Sequence, residues 1–218
     1  DIVIATKSTE EKNLEDINRM AEATLKMVRD SVSAYVQKDL ELARKVMDAD
    51  DEVDDIFDLV KGDLVKFISD HKGSAGDEAI DLIMIAKYLE RIGDHAADIS
   101  EMTILMAGTP YIRNIEHLQT MAKEAMVMLV KSIEAYVEKD KKKAEKVIEH
   151  DDVVDELFCK SREDIIHLIH KDPNLGEPAT DLLMVAKYFE RIGDHATNIA
   201  EWVIFSITAV SYTHLRAH

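Results

Sequence analysis

Apolar residues recur at spacings of three and four along nearly the whole chain, the pattern of amphipathic helices rather than strands. In one stretch Leu82, Ile85, Leu89, Ile92, Ala96 and Ile99 fall on a single helical face. Breaks in the pattern predict six helices, at roughly 12–37, 40–70, 77–107, 114–138, 141–171 and 178–209. Asp39 and Asp140 stand where a side chain caps the second and fifth of these, and Pro178 suits the first turn of the sixth. Gly108-Thr109-Pro110 divides the chain in the middle.

The two halves repeat each other. Ala86-Lys87-Tyr88-Leu89-Glu90-Arg91-Ile92-Gly93-Asp94-His95 returns as Ala186-Lys187-Tyr188-Phe189-Glu190-Arg191-Ile192-Gly193-Asp194-His195. Asp50-Asp51-Glu52-Val53-Asp54 matches Asp151-Asp152-Val153-Val154-Asp155. The offset slips by one between these segments, which places a loop at Gly73-Ser74-Ala75-Gly76 and Pro173-Asn174-Leu175-Gly176. The expected fold class is all-α, two tandem three-helix bundles, spanning 12–108 and 112–209. Residues 1–11 read as a leader or the end of a preceding segment, since Asp1-Ile2-Val3-Ile4 resembles Glu101-Met102-Thr103-Ile104; residues 210–218 read as a disordered or foreign tail.

Composition narrows the function. The chain has 218 residues, 46% apolar and 33% charged, enough to bury a core. A net charge of -17 with no basic stripe argues against a nucleic-acid partner. The single cysteine, Cys159, corresponds to Asp58 in the first half, so neither a disulfide framework nor a shared thiol chemistry is expected, and a reducing, cytosolic setting fits. No apolar run approaches the roughly 20 residues of a membrane span.

Candidate chemistry lies in the acids. At about 100° per residue, Glu90, Asp94, Asp98 and Glu101 form a stripe roughly 80° wide, opposite the apolar face and hence on an outer surface. Asp50, Asp54 and Asp58 form another on the preceding helix, and Asp151 with Asp155 and Glu190 with Asp194 repeat the pattern. Like charges one turn apart repel, and a hard or borderline cation such as Mg2+, Mn2+, Ca2+ or iron removes the penalty. His95 and His195 reach such a site only at its rim. A solvated acidic face is the alternative for any single pair, and the repetition favours metal. Arg91 and Arg191 read as structural partners of carboxylates, and Gly93 and Gly193 as points of close helix approach. Tyr35, Tyr88, Tyr136 and Tyr188 are expected at core edges with wet hydroxyls. A di-iron bundle would want Glu-x-x-His on inward faces, and no phosphate loop, nucleophile elbow or zincin motif is present, so no enzyme is expected.

Asp-Asp-x-Val-Asp on the second helix and Glu-Arg-Ile-Gly-Asp-His-Ala-x-x-Ile on the third resemble the PhoU family of phosphate transport accessory proteins, over roughly 12–209. The resemblance implies a cytoplasmic, non-enzymatic, commonly dimeric regulator. It would link the ATPase subunit of a phosphate ABC transporter to a membrane sensor histidine kinase, keep phosphate-starvation genes off when phosphate is plentiful, and restrain uptake. It also implies metal ions of Mg, Mn, Fe or Zn type on Asp50 with Asp54, Glu90 with Asp94, Asp151 with Asp155, and Glu190 with Asp194; Asp98 and Glu201 join the candidate set as members of the same stripes. Asp98 is replaced by Asn198, so the two sites are expected to differ in charge. Other readings are a PhoU-like domain of a longer protein such as a sodium/phosphate cotransporter, and a metal-free helical adaptor.

Overall fold

The computed structural model describes the backbone of residues 2–70, 76–109 and 116–216, and the side chains of 12, 14–70, 76–109 and 117–208. Its helices are α1 (Ile2–Gln37), α2 (Leu40–Asp70), α3 (Gly76–Leu105), α4 (Glu116–Glu138), α5 (Lys141–Lys171) and α6 (Gly176–Arg216). Among the described residues there is no strand, and short 3-10 turns occupy Met106–Gly108 and Pro173–Leu175. The loop expected at Gly73-Ser74-Ala75 and the connection after Thr109 lie outside the described residues.

Both terminal helices extend beyond the bounds the periodicity predicts. α1 begins at Ile2, and α6 runs on through 210–216. Neither stretch contains a Gly or Pro that would stop a helix already growing from its neighbour. No helix among the described residues is long and apolar enough to cross a membrane.

Tight turns set the register of α1 on α2 and of α4 on α5. Lys38 adopts φ 57° and Lys139 φ 50°, left-handed positions that let the N–H of Asp39 reach Ala34 O and that of Asp140 reach Ala135 O, both at 3.0 Å. Each aspartate then starts the next helix. Asp39 accepts from the N–H groups of Glu41 and Leu42 at 3.1 and 3.0 Å, and Asp140 from those of Lys142 and Lys143 at 2.9 and 3.2 Å. Such caps stabilise a helix by about 1 kcal/mol each.

In each repeat the first and third helices pack on the second and on one another. Thr24 fastens α1 to α3 by donating to Leu89 O at 3.3 Å. The two bundles are more intimately joined than a short connection implies. α3 packs along α6, and one continuous apolar core spans both repeats. Across this seam the ring of Tyr88 faces His195 and the ring of His95 faces Tyr188, so the two helices run antiparallel about a local two-fold.

Candidate metal centre

Of the acids expected on an outer surface, Asp54, Asp58 and Glu101 are exposed, whereas Asp50, Glu90, Asp94 and Asp98 line a groove between α2 and α3. Asp50, Glu90, Asp94 and Asp98 are half-buried, because α2 lies closer to α3 than the periodicity of either helix reveals. Gly93 permits the approach. A Cβ there would meet Asp50 Oδ1 and Val53 Cγ1 at 3.4 Å and Met27 Sδ at 3.7 Å. One oxygen from each of Asp54, Glu90 and Asp94 falls within 4.8 Å of the others, on two different helices. Adjacent oxygens around a small divalent ion are about 3 Å apart, so modest side-chain rotation would close the set on a cation.

The groove holds more negative charge than its own cations neutralise. Lys87 donates to both oxygens of Glu90 at 2.7 and 2.6 Å, and Arg91 to Asp94 at 2.9 Å, confirming a carboxylate-pairing role for that arginine. Asp50 Oδ1 is buried with no hydrogen-bond partner. Burial, then repulsion from Asp94, Asp54, Asp51 and Asp98, pushes the Asp50 carboxyl up to about 6. Burial and Glu90 likewise raise Asp94 and Asp54. An orphaned carboxylate oxygen beside an all-oxygen donor set fits a hard cation.

The second repeat is built the same way with a looser outcome. Gly193 would place a Cβ 3.4 Å from Val154 Cγ1 and 3.7 Å from Asp151 Oδ1. Asp151 is raised by burial and by Asp155 and Asp194, and Asp194 by burial and by Glu190. Lys187 contacts Glu190, and Arg191 lies 3.2 Å from Asp194. Among the described residues the close convergence of three donors occurs in the first repeat alone. Glu201 is exposed on α6, three positions beyond Asn198.

A family model described as the PhoU domain matches residues 17–103 and 118–203. The chain belongs to the PhoU family. It is 34% identical to a phosphate-specific transport system accessory protein PhoU homolog of Rhizobium meliloti (strain 1021), covering 88% of this chain and 82% of that one. A Clostridium acetobutylicum protein of the same description is 28% identical over 93% of this chain and 96% of its own. The fold matches the crystal structure of PhoU from Pseudomonas aeruginosa with a TM-score of 0.89 at 23% identity, over 93% of this chain and 99% of that one. The phosphate transport system regulatory protein PhoU from Streptococcus pneumoniae matches at 0.82 and 22%, over 91% and 95%.

The PhoU domains meet at a place that sequence reasoning passed over. His95 and His195 stack with centroids 5.5 Å apart and planes 3° from parallel, flanked by Tyr188 and Tyr88. His95 is therefore both a rim residue of the first groove and a seam residue. Its Nδ1 lies 3.1 Å from Asp98 Oδ2, whereas His195 Nδ1 lies 3.5 Å from the Asn198 amide nitrogen. Burial, then His95, Arg191 and Arg91, lowers the His195 pKa to about 4, so that ring is neutral at physiological pH. The recurrence of Tyr and His seven positions apart was the available signal. Glu101, left out of the candidate ligands, lines the first groove's opening with Asp50, Asp94 and Asp98; its repetition as Glu201 marked it. Tyr136 departs from expectation, its hydroxyl being buried rather than wet, which raises its pKa.

Proposed function

We propose that this chain is an accessory protein of phosphate transport whose two PhoU domains bind divalent or iron-type metal ions through carboxylates facing across paired helices. The observation that carries the metal reading is the convergence of Asp54, Glu90 and Asp94 beside the unpartnered oxygen of Asp50. The transport reading rests on the descriptions of the curated relatives. A bound cation neutralises the groove. The chain's own part is positional: Gly93 brings α2 against α3, Lys87 and Arg91 orient Glu90 and Asp94, and the remaining negative charge is left for the ion. Loading would stiffen α2 on α3 and so alter the surface offered to partners.

In this reading the protein is a cytoplasmic, non-enzymatic homodimer. It restrains phosphate uptake and phosphate-starvation signalling by joining the transporter's ATPase subunit to a sensor histidine kinase. A metal-free adaptor is the second reading, favoured by the intrahelical pairing of Glu90 and Asp94 with Lys87 and Arg91. Elemental analysis and thermal melts with added Mn2+ separate the two. The expected result is a rise in melting temperature for the wild type and a smaller one for Glu90→Gln/Asp94→Asn. Equal shifts would support the adaptor. For the regulatory role, deletion of the gene should switch on phosphate-starvation transcription in high phosphate and the ATPase subunit should be retained on the immobilised protein; unchanged transcription would refute it.

A further inference from the structure

We propose that the two PhoU domains take up divalent cations unequally, the first binding more tightly because Asp98 supplies a carboxylate that Asn198 withholds from the second. This deepens the metal-binding reading and rests on it. Beside the Asp54, Glu90 and Asp94 donors, the first groove opens into a cavity of about 380 Å³ walled by Asp50, Asp94, Asp98 and Glu101. That volume admits a cation with several of its waters. Asp94 belongs to both the donor set and the cavity wall, so the two adjoin.

Asp98 is built into this centre. It walls the cavity together with Asp50, Asp94 and Glu101, and its Oδ2 lies 3.1 Å from His95 Nδ1. The second domain repeats the other acids as Asp151, Asp155, Glu190, Asp194 and Glu201, and it repeats the counter-charges Lys87 and Arg91 as Lys187 and Arg191. Of the four acids that wall the first cavity, Asp50, Asp94, Asp98 and Glu101, only Asp98 lacks an acidic counterpart, so at the cavity wall the domains differ by one negative charge. Ligand charge count tunes hard-cation affinity by orders of magnitude across protein sites, so one carboxylate is expected to change it about tenfold.

The test is calorimetric titration of Mn2+ into the full chain after chelator treatment, with free Mn2+ followed independently by electron paramagnetic resonance. The wild type should show two phases separated by about tenfold or more in Kd. Asp98→Asn should weaken the tight phase until the phases merge, and Asn198→Asp should strengthen the weak one. Both variants install the side chain that the other domain already carries, so the fold tolerates them; circular dichroism checks this. A single class of equal sites in the wild type, or an unchanged tight phase in Asp98→Asn, overturns the proposal while leaving the metal-binding reading in place. No Mn2+ uptake by the wild type overturns both.

Discussion

Asp50→Asn should stabilise the metal-free protein, because it removes a negative charge from a half-buried position crowded by other acids, where Oδ1 has no hydrogen-bond partner. The carboxyl moves from 3.8 to about 6 because burial and four neighbouring acids disfavour its charge. A shift of about two units corresponds to roughly 3 kcal/mol at full value, and water at the open groove reduces this to about 1–2 kcal/mol. The sign follows from proton binding. A carboxyl whose folded pKa lies above its unfolded one penalises the folded state wherever it is ionised in both, that is above pH 6. The penalty fades as pH falls from there towards 3.8. Asparagine keeps the shape and removes the charge. In EDTA at pH 7.5, urea denaturation should therefore show the variant more stable by about 1–2 kcal/mol, with the gap closing near pH 4. Adding Mn2+ should reverse the order, because the variant lacks a ligand oxygen. A variant less stable than wild type in EDTA, or a gap independent of pH, would refute the reasoning.

The remaining predictions concern the seam and the turns. His195→Phe keeps a ring between Tyr88 and His95 and removes a base whose folded pKa is depressed to about 4. The wild type should lose stability as pH falls from 6.5 towards 4, and the variant's melting temperature should fall less over that window; parallel profiles would count against a neutral buried His195. Lys139→Gly relieves a left-handed residue and should raise stability by up to about 1 kcal/mol in a denaturant titration, whereas a loss would show that Lys139 is not strained. Asp140→Ala strips two N–H groups of their acceptor and should cost about 1 kcal/mol by the same measurement; no change would mean water caps α5 equally well.

Particular residues show what the sequence made legible. Asp39 and Asp140 cap as their positions required, Gly93 and Gly193 mark close approach, and each repeated acid pair falls on one face of its helix. These are local properties, fixed by spacing along a single helix. The meeting of Asp54 with Glu90 and Asp94 depends on the register between two helices, which periodicity does not encode. For the same reason the groove read as an outer surface. A pattern opposite the apolar stripe of α3 is solvent only if no neighbouring helix leans over it. The α3–α6 seam escaped because half-polar rings such as Tyr88 and His95 look like rim residues until a second copy of the same face covers them.

That seam decides what either repeat can do alone. Two copies of one face, related by a local two-fold and closed on each other, have the geometry of a symmetric dimer contact held within one chain. A single repeat cut from this chain would expose Tyr88, His95 and the apolar flank of α3, and would seek a twin. In the intact chain that face is already occupied, closed by its own repeat and withheld from any second molecule.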